Sequence, residues 1–325
     1  MNRYRRAFGA VFALALAQAL PAPASAQAYP TRPIRLVVPF APGGGADISA
    51  RKVAEALSRR LGQPVVVDNR AGAGGTVGAA FVAQAEPDGY TLLWATPGQQ
   101  MTNPHLMKSM PYDPVNGFAA VAQTTLGGSV LVVHKDVPAR TVAELIALAK
   151  AKPGSISFAS AGVGASSHLA GELFKSEAGI DIVHVPYKGS GNAVIDVAGG
   201  RVQMAIDSLS VYQGQITNGS VRALAVSSAE RNPALPDLPP IADTLPGFEG
   251  SPVNYITAPA KTPRPIIDRL NKEINALLAD PDIKAHFQKS GTIARGSTPE
   301  QMEAIIRSES AKWKKVIEQS GAKAE

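Results

Sequence analysis

Strand-like and helix-like segments alternate along this chain almost from end to end, and that alternation restricts the fold more than any single motif does. The run IRLVVPF (34–40) is apolar and β-branched. It is followed by DISARKVAEALSRRLG (47–62), with Val53, Ala54, Leu57 and Leu61 on one helical face and Gly62 as a stop. PVVVDN (64–69), the helical TVGAAFVAQAE (76–86), the turn PDGY and the strand TLLWAT (91–96) complete a βαβαβ series. Parallel strands need crossover connections, so such a series predicts a sheet covered by helices. Residues 103–118 carry prolines and read as irregular, with one short helix.

A second series begins at SVLVVHK (129–135). It continues through a helix over 141–154 that Thr141 caps with Glu144 three residues on, a strand over 156–162 and a helix over 166–179. A strand over 180–187, a helix over 191–200 and strands at 202–208 and 221–228 follow. A proline-rich connector (232–246), a strand (253–260) and two helices (264–280 and 298–319) close the sequence. The expectation is an α/β protein of two lobes, each a mostly parallel sheet flanked by helices.

The first residues read as a targeting segment rather than as part of the fold. Arg3, Arg5 and Arg6 precede the short apolar stretch AFGAVFALALAQAL, and Ala24–Ser25–Ala26 offers small residues for cleavage. A signal peptide over 1–26 leaves 325 − 26 = 299 residues, enough to bury a core without the disulfides that a cysteine-free chain cannot make. The absence of cysteine also excludes a lipoprotein anchor, so the expected location is the periplasm. Net charge is +6 with the signal arginines and about +3 without them, with the basic residues scattered. That distribution gives no nucleic-acid footprint.

Two stretches echo each other: VVPFAPGGGADISA and SFASAGVGASSHLA. Each is a strand, then glycines and small residues, then a helix start bearing Asp, Ser or His. Glycine permits close backbone approach, and a helix N-terminus offers unpaired N–H groups of partial positive charge, so the pair suits an anion gripped from two sides. A phosphate loop does not fit, because GxxxxGK[ST] is absent and Lys188 in YKGSGN lacks the spacing. Gly72, Gly74 and Gly78 give a GxGxxxG variant, but the next strand ends LLWATPGQQ without the acidic residue a ribose requires. Residues 72–75 therefore read as a tight turn, with Asn69 and Arg70 fixing the loop.

Catalytic patterns fail as well. No serine has glycine at both −2 and +2, and Ser166, Ser167 and His168, adjacent at a helix start, suit capping and ligand hydrogen bonding better than a triad. His105, His134, His168, His184 and His286 lack metal-ligand spacing, so no metal and no cofactor is expected. Asp47 reads most simply as an N-cap. Tyr187 and Lys188 end one strand and Asp207 and Ser208 another, at the edge of a cleft. The alternative left by the glycine turns is an α/β enzyme, a hydrolase or a dinucleotide-dependent oxidoreductase.

Longer stretches match a known family. PIRLVVPFAPGGGAD, RLGQPVVVDNRAGAGGTVGA, HLAGELFKSEAGIDIVHVPYKGSGNAV, VRALAVSSAERNPALPDLPPIAD and LNKEINALLADPDIK together resemble the Bug family of extracytoplasmic solute receptors, similar to the binding components of tripartite tricarboxylate transporters. The resemblance spans the chain after the signal segment. It implies a two-lobed periplasmic binding protein, a type II-like Venus flytrap, closing without catalysis on a small carboxylate-bearing ligand, a di- or tricarboxylate, an amino acid or an aromatic acid. One jaw would be Phe40, Ala41, Gly43, Gly44, Gly45 and Asp47. The other would be Ser160, Ala161, Gly162, Gly164, Ser166, Ser167 and His168, with Tyr187 and Asp207 on the far side of the cleft.

Lobe I is expected over 29–123 plus 227–325 and lobe II over 124–226, with the two final helices packed back on lobe I. The implied partners are permease subunits of a tripartite tricarboxylate-type transporter or a sensor, with the receptor itself a monomer that is not membrane-inserted. One departure stands out: where many relatives carry a pair of aromatics before the APAGTP-like segment, this chain has Asn254 and Tyr255. A strand reaching the cleft there would make one edge of it more polar.

Overall fold

The computed structural model describes residues 29–320 other than 230, 233 and 290, so the signal segment over 1–26 lies outside the described residues. Everything below concerns the compact unit Arg32–Glu325.

The unit holds two sheets. The first is built from β1 (Ile34–Val38), β2 (Val65–Asn69), β3 (Thr91–Ala95), β4 (Phe118–Leu126), β10 (Val253–Pro259) and β11 (Ile293–Ala294), in the order β11-β4-β10-β3-β1-β2. The second is built from β5 (Ser129–His134), β6 (Ser157–Ser160), β7 (Val183–Pro186), β8 (Met204–Ser208) and β9 (Val221–Val226), in the order β7-β6-β8-β5-β9. The helices of the first lobe are α1 (Gly45–Leu61), α2 (Thr76–Ala83) and α3 (Asn103–Leu106), the last entered through a single π turn at Gly98–Thr102. Those of the second are α4 (Val142–Ala151), α5 (Ser166–Ala178), α6 (Ser190–Ala198) and α7 (Leu209–Thr217). The chain then returns through α8 (Arg264–Leu278), α9 (Pro281–Lys289) and α10 (Pro299–Ser320).

Local chemistry accounts for several boundaries. Gly62 and Gly179 end α1 and α5 in the left-handed conformation, where a Cβ would be costly. Thr141 caps α4 as expected: its hydroxyl accepts from the Glu144 N–H at 3.1 Å, and the Glu144 carboxylate reaches back to the Arg140 N–H at 2.6 Å.

Both sheets are mixed rather than mostly parallel, and the cause is the passage between lobes. Strands β1, β2 and β3 pair in parallel through helical crossovers, whereas β10, which brings the chain back, runs antiparallel to both β3 and β4. In the second sheet β5, which enters directly from β4, runs antiparallel to β8 and β9. A strand reached from the other lobe has no βαβ crossover to impose its direction.

Four regular elements escaped the sequence pattern: β4, α7, α9 and the short β11. β4 is almost wholly buried yet reads FAAVAQTTL, without the alternation of a half-buried strand. Its polar members find partners on adjacent segments: the Thr124 hydroxyl donates to the Asn254 carbonyl at 2.9 Å, and the Gln123 N–H to the Ser297 hydroxyl at 2.9 Å. α7 carries Gly214 and β-branched residues, which weaken a helical reading. The final helix does more than pack back on the first lobe. α10 packs on β4 and on α5 of the other lobe, with Met302, Trp313 and Ile317 in the same buried cluster as Leu173 and Phe174.

Candidate functional site

Four helices begin at one place. The N-terminal residues Gly44, Gly45 and Ala46 of α1, Ala165 and Ser166 of α5, Ser190 of α6 and Ser208 before α7 all line a single cavity of about 60 Å³. None of the four N-caps, which are Gly44, Ala165, Gly189 and Ser208, supplies a capping side-chain hydrogen bond. The first helical bonds start only at Ile48 N–H to Gly44 O (3.0 Å) and Leu169 N–H to Ala165 O (3.1 Å). The N–H groups ahead of them have no intrahelical acceptor and point outward from the helix ends. Converging helix N-termini favour negative charge, and among the described residues no lysine or arginine lines the cavity.

The two loops that carry these N-termini are locked from behind. In the first, Asp47 is not the N-cap expected from sequence. Gly44 takes that place, with extended dihedrals, and Asp47 sits in the first turn. Its carboxylate accepts from the Gly43 N–H at 2.9 Å, from Arg51 Nε at 3.0 Å and from Asn69 Nδ2 at 2.9 Å. Burial alone would raise the Asp47 pKa; the hydrogen bonds from Arg51, Gly43 and Asn69 outweigh it and hold the group below the usual carboxylate range. Asn69 also donates to the Phe40 carbonyl at 3.1 Å, so it braces the 40–47 loop rather than the 72–75 turn for which the sequence singled it out. Arg70 instead donates to Asp68 and stacks on Phe81, 3.5 Å from the ring centroid.

The second loop is held by neutral groups. The Ser167 hydroxyl accepts from the Ala161 N–H at 2.9 Å, and Ser160 Oγ accepts from the Gly162 N–H at 3.2 Å. His168 Nδ1 accepts from the Gly164 N–H at 3.1 Å, which makes its unprotonated nitrogen the one facing the loop. His168 stacks on His184 with ring centroids 4.1 Å apart, and His184 Nε2 lies 2.6 Å from Ser160 Oγ. Burial depresses both imidazoles, His168 to about 3 and His184 to about 4, so both are neutral at physiological pH.

The lobes touch directly around this site. The Thr102 hydroxyl donates to the Gly164 carbonyl at 3.0 Å. A Cβ at Gly74 would lie 1.9 Å from the Val163 carbonyl oxygen, and one at Gly164 would lie 1.5 Å from Asn103 Oδ1. Both glycines have positive φ. Close backbone approach between lobes is what these glycines permit, and the tight turn expected at residues 72–75 is the first lobe's share of it.

Of the residues singled out from sequence, Phe40, Gly44, Gly45, Ala161, Ser166 and Asp207 line the cavity together. Asp47, Ser160, Ser167 and His168 stand behind it, bonded to the loops as described. Ala41 lies against Gly189, Gly43 is exposed, and Gly164 is occupied at the contact with Asn103. Gly162 and Tyr187 line a separate outer groove, where the Tyr187 hydroxyl donates to Asp196 at 2.6 Å.

Asp207 presents its carboxylate to the cavity; it accepts from Ser190 Oγ at 2.5 Å and from the Ser208 N–H at 2.7 Å, while burial raises its pKa. The strand carrying Asn254 does reach the cavity. Asn254 lines it and Tyr255, pointing the other way along the pleat, is fully buried. Ser190 and Thr96 went unnoticed in the sequence. Ser190 follows a strand and a glycine and opens a helix, the same arrangement that marked the two loops.

Two α/β lobes meeting over a cavity ringed by helix N-termini define a solute-binding receptor of the periplasmic type. Residues 49–322 match the family model described as "Tripartite tricarboxylate transporter family receptor". The chain belongs to that family, which includes the Bug receptors. It is 39% identical over 304 residues to protein BugT of Bordetella pertussis, covering 93% of each chain. Among solved structures it is similar to Rpa4515 of R. palustris with adipate (TM-score 0.88, 37% identity, 90% of this chain and 98% of that one). It is also similar to MatC of Rhodopseudomonas palustris with bound malate (TM-score 0.83, 29% identity, 89% of this chain and 100% of that one). Family and neighbours are solute-binding receptors, which closes the enzyme alternative. No helix among the described residues is long and apolar enough to cross a membrane.

Proposed function

We propose that the protein, exported by a cleaved signal over 1–26, captures a small carboxylate-bearing organic anion between its lobes. It then presents the anion to permease subunits of a tripartite tricarboxylate-type transporter or to a sensor. The observation that carries this reading is the convergence of four helix N-termini, none capped by a side chain, on one cavity that no cationic side chain among the described residues lines. Backbone N–H groups bind a carboxylate without requiring a buried lysine or arginine, whose desolvation is costly. The proposed ligand set is the sequence-derived one: Phe40, Ala41, Gly43, Gly44, Gly45 and Asp47 on one side, and Ser160, Ala161, Gly162, Gly164, Ser166, Ser167 and His168 on the other, with Tyr187 and Asp207. To these we add Ser190 and Asn254. Within that set the backbone amides at the helix starts grip the ligand, and the Asp47 and His168 side chains keep the loops in place.

The cavity of about 60 Å³ favours the short members of the class. That capacity fits a short organic acid better than an aromatic one, and the adipate and malate of the two neighbours belong to the same chemical class. Asp207 beside Ser190 gives the cavity an acceptor, suited to a hydroxyl or ammonium on the ligand.

We take the lobes to divide close to 29–123 plus 227–325 and 124–226, with the first boundary moved a few residues on, and to act as a hinged pair in which ligand binding favours the closed form. The first crossing is best placed at Gly127 and Gly128, since β4 runs to Leu126. The return lies beside it, where the Ser227 N–H donates to the Ser129 carbonyl at 2.9 Å.

A thermal-shift screen of the mature chain against organic acids, amino acids and nucleotides tests the reading. Stabilisation by at least one short carboxylate is expected. Stabilisation by nucleotides alone would overturn it.

A further inference from the structure

The cavity has a neighbour. A groove of about 510 Å³ shares Phe40 with it, walled by Gly74 from the first lobe and by Ala161, Gly162, Tyr187 and Lys188 from the second. Phe40 and Ala161 line both spaces, so the aromatic side chain and one small residue are all that the two linings share. Phe40 is 8% exposed, wedged at this seam. Lys188 is exposed and is the one charged side chain of the groove lining; no acidic partner of it is found among the described residues.

We propose that the groove is an outer compartment of the ligand site, that Phe40 is the partition setting the longest ligand the inner cavity accepts, and that Lys188 is the counter-charge for the distal carboxylate of a longer α,ω-dicarboxylate. This rests on the carboxylate reading above. The geometry supports it on three counts. The inner space is too small for a long diacid, and the only lining side chain of any size between the two spaces is an aromatic ring on a loop. The outer space, unlike the inner one, carries a cation. A ligand whose near carboxylate sits at the helix N-termini can lengthen past Phe40 toward Lys188, because Phe40 and Ala161 line both spaces. Truncating the ring joins the spaces; keeping it confines ligands to short acids.

The test is calorimetric titration of the wild-type mature chain and of Phe40→Ala, Phe40→Leu and Lys188→Gln, alone and combined, with succinate, adipate and suberate. Phe40→Ala is expected to raise the affinity for suberate relative to succinate by about tenfold or more, with Phe40→Leu intermediate. Lys188→Gln in the Phe40→Ala background should lower suberate affinity roughly fivefold, the scale of a partly exposed ion pair, and leave succinate unchanged. An equal change for all three diacids in Phe40→Ala and Phe40→Leu, in proteins that melt cooperatively, would overturn the partition. An effect of Lys188→Gln that does not depend on ligand length would overturn the counter-charge. Failure of every diacid to bind any of these proteins would overturn this inference, while the carboxylate reading itself falls only if the thermal-shift screen above also finds no stabilising carboxylate.

Discussion

The two loops that bring α1 and α5 to the cavity do the same geometric task with opposite chemistry. In the first, a carboxylate is the hub: Asp47 gathers the Gly43 N–H, Arg51 and Asn69, and Asn69 in turn holds the Phe40 carbonyl. In the second, neutral acceptors are the hubs: Ser167, Ser160 and His168 each take a loop N–H, and the His168–His184 stack fills the space behind. Both arrangements tie up the loop donors that face inward and leave the helix-end donors for a ligand. What differs is the response to acid and to side-chain loss. A charged hub tolerates mild acid because its pKa is held low, whereas a neutral imidazole hub loses its acceptor when it is protonated.

The largest expected effect comes from the seam between the loops. Gly164→Val places a side chain where φ is +79° and where even a Cβ would meet Asn103 Oδ1. Closure is blocked, and ligand affinity should fall by about 100-fold or more in calorimetry. Next is His168→Ala, which leaves the buried Gly164 N–H without its acceptor and opens a gap beside His184. A loss of about 2–4 kcal/mol in chemical denaturation is expected. Asp47→Asn keeps the shape but removes the charge that pairs with Arg51, and about 1–2 kcal/mol is expected.

The pH dependence separates the loops most cleanly. His168 and His184 have folded pKa values below the ordinary value of 6.5. The unfolded chain therefore binds protons that the folded one does not, and stability present above about 6.5 is lost as pH falls toward 4. The slope is at most about 1.4 kcal/mol per pH unit for each imidazole. Asp47, with its pKa held low, contributes stability that is lost only at still lower pH, below the ordinary carboxylate value of 3.8. Melting curves from neutral pH to pH 4 should therefore fall more steeply in the wild type than in His168→Gln, and equally steeply in Asp47→Asn. The smallest effect belongs to Gly44→Ala. The dihedrals there are ordinary and the nearest atoms to a new Cβ are 3.8 Å away, so affinity should stay within about threefold.

Much of this was legible in sequence, and the misses have physical reasons. The alternation of strand and helix patterns fixed the α/β class. The echo between the two glycine turns located two of the four helix starts, because glycine after a strand is a local signal. The mixed direction of the sheets was not legible, since it follows from where the chain crosses between lobes. β4 was missed because Gln123, Thr124 and Thr125 look like surface residues until Asn254 and Ser297 come to meet them. His168 and Asp47 were singled out from the sequence, and both lie behind the cavity in the structure. Their role in fixing loop N–H groups depends on rotamers and on partners such as Asn69, distant in sequence.

A crystal structure of the mature chain with a bound short carboxylate tests the central claim most directly. The account predicts that the carboxylate oxygens accept from backbone N–H groups at the starts of α1 and α5, Gly45 and Ala46 on one side and Ser166 and Ser167 on the other. A carboxylate seated instead on a lysine or arginine side chain, or bound outside this cavity, would contradict it.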